Sequence, residues 1–341
     1  MPRKTRTNSI TSPELLKQVN PENMQLLDDF IQYLRSVDRS ETTIEAYRSD
    51  LHICFVWNLQ HNNNKFFVDW TKRNVMAFQN WLINDNGNSP ARVRRMKASL
   101  SSMSQFIERV LDDEYPNFRN IINRIEAPPK RFVREKTVLT EEDVQSMLDL
   151  MVEKGRYDIA CCVALAAYGG RRKRELCLFR VDDFSDDRLI CGGSLYKSSP
   201  MRTKGRGRAG KVVCCYTLAH KFKPYFDMWM KDREEKGVES EWLFPTQSDS
   251  SKHINHTTIT SWMTVLCKAT GKDIYAHSFR HRFTTMLSEE GIPDNVIKEI
   301  QHWESLDLVS VYCDTSTEET LEQYFGTDGI KSVEKKGLSD L

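Results

Sequence analysis

The sequence predicts a mainly α-helical protein of two domains: an N-terminal domain of four to five helices, then a mixed α/β domain with a small antiparallel sheet. Three observations predict it. Apolar residues recur at i, i+3, i+4 and i+7 through most of residues 24–110. A charged segment with adjacent prolines, EAPPKRFVREKTVLT at 126–140, then breaks the pattern. Beyond it, two short β-forming stretches are set among further helical periodicity.

Residues 1–20 are polar and are expected to form a disordered tail. The first helix is expected from Met24, Leu27, Phe30, Ile31 and Leu34, and the second from Ile44, Tyr47, Leu51, Cys54 and Phe55 after a Ser40 cap. Val75, Phe78, Trp81 and Leu82 mark the third. Val93, Met96, Leu100, Met103, Ile107 and Val110 mark the fourth, which starts near Pro90. A shorter helix near NFRNIINRI closes a domain over 21–126, with a linker at 127–138. Thr140 with Asp143 three residues on reads as a helix cap, opening a second domain over 139–326. Helices are expected at 141–153, at 156–168 and again from Arg174. RLICGGSLYK and KVVCCYTL supply the strands, with turn residues at Gly192 and Gly193 and a basic loop, RTKGRGRAGK, between them. From about 218 the pattern is helical through 325, interrupted near 236–256, and 327–341 is expected to be a flexible tail.

Composition excludes several classes. With 341 residues, 39% hydrophobic and 28% charged, the chain suits a soluble globular protein. No run reaches the apolar length of a membrane span, and MPRKTRTNSI lacks the apolar core of a signal peptide, so a cytoplasmic protein without membrane attachment is expected. The 9 cysteines include no C-x-x-C pair, which argues for reduced, buried thiols over a disulfide framework or zinc ribbon. His253 and His256 in KHINHTT have no second ligand pair nearby, and GRGRAGK lacks the G-K-[ST] ending of a nucleotide loop. Neither a metal nor a cofactor is expected.

A net charge of +1 does not announce a nucleic-acid partner, but the patterning does. Cations cluster at Arg92, Arg94, Arg95 and Lys97, within the first two turns of the fourth helix, at Arg171–Arg174, and at Arg202, Lys204, Arg206, Arg208 and Lys211. Carboxylates are segregated into LDDEY, VDDFSDD and KDREEKGVESE. Such a chain can carry a basic face and an acidic back. In HSFRHRFTTML, at 277–287, a helix would put Phe279, Phe283, Met286 and Leu287 on one packed face and His277, Arg280 and His281 on the opposite, cationic one.

Four segments in order carry a resemblance: GGRRKREL (169–176), RTKGRG with Lys204, HSFR with His277 and Arg280, and HWESLDLVSVY, which sets Trp303 nine residues before Tyr312. Together they resemble the tyrosine recombinases of the phage-integrase family, whose first box is typically G-[LM]-R-x-x-E-L. The resemblance spans roughly residues 20–325, including the N-terminal helices, which look like the family's core-site-binding module. It implies that Arg172, Lys204, His277, Arg280, Trp303 and Tyr312 are catalytic, with Glu175, His281 and His302 in supporting positions. Where the family reads L-G-H this chain reads IQHW, so His302 competes with Trp303 for the sixth position. Tyr324, twenty-one residues past Trp303, is the rival nucleophile and groups with Leu321 and Phe325 on a terminal helix that, in the family, docks on a neighbouring protomer.

The residue types suit phosphodiester chemistry without a metal. Two guanidinium forks stay ionised at any working pH and can clamp charge building on non-bridging oxygens. A lysine crowded by arginines can protonate the leaving 5′-oxygen, and histidine can take or give a proton near neutrality. Trp303 offers an indole N–H and an apolar face. Tyrosine attack would store the bond energy as a 3′-phosphotyrosine. The resemblance thus implies a site-specific recombinase or integrase acting on double-stranded recombination sites of a mobile element. It would be a homo-tetramer on DNA and a monomer or weak oligomer off it. The short N-terminal tail leaves little room for an arm-site-binding domain. A type IB topoisomerase-like enzyme and an inert DNA-binding protein of the same fold are the alternatives.

Overall fold

The computed structural model describes residues 10–129, 138–203, 210–312, 325–326 and 329–330, with backbone only from 310 onward. These residues fall into two compact units, which divide within the linker. Each has its own hydrophobic core.

The N-terminal unit is all helical: α1 (Pro13–Leu16), α2 (Pro21–Ser36), α3 (Glu41–His61), α4 (Lys72–Asn84) and α5 (Pro90–Val110), closed by a 3-10 turn at Ile122–Arg124. Side-chain caps set four of the helix starts, since the Ser12, Asn20, Ser40 and Ser89 oxygens each accept from a first-turn backbone N–H. Residues 10–20 are not a tail. Val19 is buried and Leu15 and Leu16 pack on the core, because α1 covers apolar surface that α2 and α3 leave open. The second half of α3 buries six consecutive residues, Ile53–Asn58, so it runs through the core instead of lying on it.

The second unit opens with α6 (Glu141–Glu153), held by the reciprocal Thr140–Asp143 capping box, and α7 (Tyr157–Gly169). Every residue of α7 from Ile159 to Gly169 is buried. Its small side chains, among them Ala160, Cys161, Cys162, Ala164, Ala166 and Ala167, let neighbouring helices approach closely on all sides. Instead of a helix from Arg174, the chain makes a short 3-10 turn at Glu175–Cys177.

Five short strands follow: β1 (Leu189–Ile190), β2 (Leu195–Lys197), β3 (Met201–Thr203), β4 (Lys211–Val213) and β5 (Tyr216–Leu218). They make a three-stranded antiparallel sheet in the order β1-β2-β5 and a separate β3-β4 hairpin, with Leu195 opposite Leu218 and Thr203 opposite Lys211. The expected small sheet is therefore present, in two pieces. Then come α8 (Ala219–Glu235), α9 (His256–Thr270), α10 (Ala276–Glu289), α11 (Asp294–Gln301) and α12 (Asp307–Tyr312). Phe325 is not helical: β6 (Phe325–Gly326) pairs with β7 (Gly329–Ile330). Tyr324 and Leu321 lie outside the described residues. Among the described residues no helix is long and apolar enough to cross a membrane.

Because α7 is enclosed on every side, a cavity in it has little room to collapse. Leu165→Ala, at a fully buried position, is expected to cost about 3 kcal/mol, read as a shift of the denaturation midpoint. A change within error would mean that α7 is not the centre of this core.

Candidate active site

The site begins where α7 ends. Gly170 is its C-cap in the left-handed conformation, φ 62°. A Cβ there would overlap the Phe283 ring and lie 2.6 Å from Gln301 Nε2, so only glycine lets the end of α7, α10 and the end of α11 meet.

Two guanidiniums fasten that meeting point. Arg171 is fully buried; its Nε donates to the Gly169 carbonyl and its Nη2 to that of Ile300 at 3.0 Å. Arg280 is also fully buried and donates to the next carbonyl in each segment, Gly170 at 2.8 Å and Gln301 at 2.7 Å. Thr284 Oγ1 donates to the Arg280 carbonyl and accepts from Gln301 Nε2. Helix α10 therefore does not have the solvated cationic face that its sequence suggests. Phe279, Phe283 and Leu287 are buried as expected, but so is Arg280, because the carbonyl ends of two other helices close over it.

The next residue, Arg172, keeps about a third of its side chain exposed and is tied to Glu175 by a 2.8 Å ion pair and a backbone N–H bond. Burial pushes the Glu175 carboxyl up, but the charges of Arg171 and Arg172 and two hydrogen bonds from Arg172 outweigh this and leave it below the ordinary range. Of the four cations in the segment, Arg171 faces inward, Arg174 is exposed, Lys173 bonds Thr260, and Arg172 alone pairs with Glu175.

His277 is half-buried one turn before Arg280 and meets His281 edge-on, ring centroids 5.6 Å apart. Burial, then the charges of Arg280, His281 and Arg172, depress its pKa to about 4. His302 takes the left-handed C-cap of α11, φ 53°. Burial, then Arg171, lowers its pKa to about 4 as well. Trp303 follows, buried, with its ring 5.3 Å from the Arg280 guanidinium carbon. The two rivals for the sixth position thus differ: Trp303 stacks on Arg280, whereas His302 forms the turn and lies near Arg171.

Tyr312 ends α12, and its side chain is beyond what is described. Lys204, Arg206 and Arg208 also lie outside the described residues. Arg202 is exposed on β3, and Lys211, opposite Thr203, is exposed on β4. In the N-terminal unit, Arg92 and Arg95 pair with Asp50, and Arg94 donates to the Pro128 carbonyl. Lys97 departs from the expected basic surface: it is buried and donates to the Ile125 carbonyl, so it closes its own domain. Among the described residues no group of His, Cys, Asp and Glu could hold a metal ion. His253 instead bonds the Ile254 carbonyl and packs on Trp242.

Sequence reasoning passes over Arg171 as a mere neighbour and does not find Gln301 or Thr284. The doubled glycine was the available signal: a helix that ends in Gly-Gly before a cation needs a left-handed turn and close approach.

A helical domain is thus joined to a unit in which arginine, acid, histidine and tryptophan converge on one helix junction. The phage integrase family model matches residues 137–319, and the family's N-terminal SAM-like domain model matches 26–117. The chain belongs to the phage integrase family and is a tyrosine-type site-specific recombinase.

Among its relatives is the SPbeta prophage-derived recombinase-like protein YomM of Bacillus subtilis, 27% identical and aligned over 90% of this chain and 89% of that one. A tyrosine recombinase of Thermosipho africanus is 24% identical over 87% of this chain and 98% of its own. In fold the chain is similar to the XerH recombinase bound to palindromic difH substrate, with TM-score 0.64, 16% identity and 91% and 86% of the two chains covered. A lambda integrase dimer bound to a COC′ core site aligns with TM-score 0.61 and 16% identity, over 89% and 81%.

Two predictions follow from this geometry. Gly170→Ala, whose Cβ collides with Phe283 and Gln301 at a positive φ, is expected to cost about 2 kcal/mol or more in chemical denaturation; a neutral result would refute the close approach. Both His277 and His302 stay neutral in the fold while the unfolded chain protonates near its ordinary value of 6.5. Their stabilisation is therefore complete above about pH 6.5 and is lost as pH falls towards 4. The drop in melting temperature between those values should shrink in His277→Gln, and an unchanged drop would contradict the depressed pKa.

Proposed function

We propose that this chain cleaves and rejoins duplex DNA through a 3′-phosphotyrosine on Tyr312, in the integration or excision of a mobile element. The observation that carries this reading is the charge at the junction of α7, α10 and α11, where three guanidiniums gather beside one carboxylate: Arg172 pairs with Glu175, while Arg171 and Arg280 are bonded to main-chain carbonyls. Such an excess in a mostly buried cluster calls for an anion, and a phosphodiester held between Arg172 and Arg280 supplies one.

In this reading Arg172 and Arg280 take the non-bridging oxygens, and Trp303, stacked on Arg280, holds that guanidinium in place. His277, neutral in the free protein, accepts the phenolic proton of Tyr312 or donates to phosphate. Lys204, in the segment between β3 and β4, protonates the departing 5′-oxygen. Glu175 orients Arg172, while His281 and His302 support the histidine and the turn. The bond energy stays in the phosphotyrosine, so a 5′-hydroxyl of a partner strand can reverse the step without ATP.

The N-terminal unit, residues 21–126, would grip the core site through Arg92, Arg94 and Arg95, joined by the 127–138 linker to the catalytic domain at 139–326. Arg202, Arg206 and Arg208 would add contacts from the second. Four copies would assemble across two sites. The relatives named above include a prophage-derived recombinase-like protein and, among solved folds, DNA-bound recombinases, which agrees with this reading.

The test is covalent capture. Incubated with a nicked duplex carrying its site, wild type should give a protein–DNA adduct on a denaturing gel and Tyr312→Phe none. An adduct that persists in the variant would transfer the nucleophile elsewhere, and its absence from wild type would remove the mechanism. Binding should also weaken by roughly a hundredfold or more between about 50 and 200 mM salt; a flat response would contradict a phosphate clamp. Removal of residues 318–341 should abolish paired-site recombination, whereas a topoisomerase-like monomer would go on relaxing supercoiled DNA.

A further inference from the structure

The middle of α3 holds a buried carboxylate that the chemistry above does not use. Asp50 is only 2% exposed, and a lone ionised group there would be costly. Three groups face it, all from the first three turns of α5, one as a hydrogen-bond donor and two as ion-pair partners. Arg92 Nη1 lies 2.5 Å from Oδ1, Ser99 Oγ donates to Oδ2 at 2.8 Å, and Arg95 Nε is 3.5 Å from Oδ2. Two guanidiniums against one carboxylate leave the group net positive.

Neither arginine is used up by this contact. Arg95 keeps 54% of its side chain exposed and Arg92 28%. A guanidinium has five N–H donors in a rigid plane, so an ion pair at one nitrogen leaves the others for a second acceptor. Arg92 and Arg95 are three residues apart on one helix and share this carboxylate, so two guanidiniums lie on one stripe of α5. An exposed arginine otherwise spends most of its interaction free energy on ordering a flexible stem.

We infer that Asp50 is a positioning residue for sequence recognition, fixing Arg92 and Arg95 so that their outer edges read acceptor pairs of the guanine O6/N7 type on a duplex. This rests on the DNA-binding reading proposed above and adds a division of labour to it. Loose cations such as Arg202 hold phosphate, while the braced pair discriminates between base pairs. A carboxylate beside a basic surface weakens non-specific attraction, so its presence here makes sense if order matters more than charge.

That conflict of effects gives the test. Full-length wild type selects duplexes from a random-sequence pool, and dissociation constants are then measured for the enriched duplex and for a scrambled duplex of equal length. Asp50→Asn keeps the shape and removes the charge. It should raise the constant for the enriched duplex by roughly tenfold or more while that for the scrambled duplex stays the same or falls. Arg95→Lys, which keeps the charge and loses the braced plane, should narrow the same ratio without removing Asp50, so the inference survives a poorly folded Asp50 variant. If both constants shift together in folded variants, leaving the ratio unchanged, Asp50 serves only packing and the inference fails. If wild type enriches no sequence at all, the DNA reading beneath it fails instead.

Discussion

Two buried arginines bonded to main-chain carbonyls hold this catalytic unit together. The last carbonyls of a helix have no partner within it and carry its negative end, so they cannot be buried without donors from elsewhere. At the close of α7 and α11 those donors are Arg171 and Arg280, which bridge Gly169 to Ile300 and Gly170 to Gln301. The pairing works in both directions. The carbonyls make it tolerable to bury two guanidiniums, and the guanidiniums make it tolerable to bury two helix ends. Arg172, Glu175, His302 and Trp303 all lie within a few residues of these bonds and take their positions from them.

Legibility in the sequence follows how local each feature is. The helices of the N-terminal unit could be read because caps such as Ser40 and Ser89 and a 3.6-residue period are written in adjacent residues. The pairing of Arg172 with Glu175 is likewise readable from short spacing. The fate of Arg171 was not, since its acceptor lies 129 positions away and nothing in GGRRKREL distinguishes a residue that faces inward from one that faces out. The same limit explains α10. Periodicity marks Phe279, Phe283 and Leu287 as packed, but it does not show that the ends of two other helices also cover Arg280 on the polar face. Residues 10–20 are illegible for a related reason, because a polar segment shows no period when it contributes a few scattered side chains, Ile10, Leu15, Leu16 and Val19, to a core made by others.

Charge was the least transparent property. Net charge near neutrality concealed a sharp division of roles among cations close together in the chain. On α5, Arg92 and Arg95 pair with a buried acid, Arg94 bonds a carbonyl beyond the helix, and Lys97 turns inward. Counting cations therefore overestimates a binding surface, and the correction comes from asking where each donor is already engaged.

The doubled bridge between α7 and α11 also has a meaning in terms of tolerance. In the proposed reaction Arg172 and Tyr312 must meet one phosphate although they stand far apart in sequence, and small displacements accumulated along the intervening helices and strands would leave the two poorly aligned. Fastening both to consecutive carbonyls gives them a common datum. Errors in the chain between them cancel at the point of use, and the connecting elements are free to drift in sequence and length as long as they return the two ends to the same pair of guanidiniums.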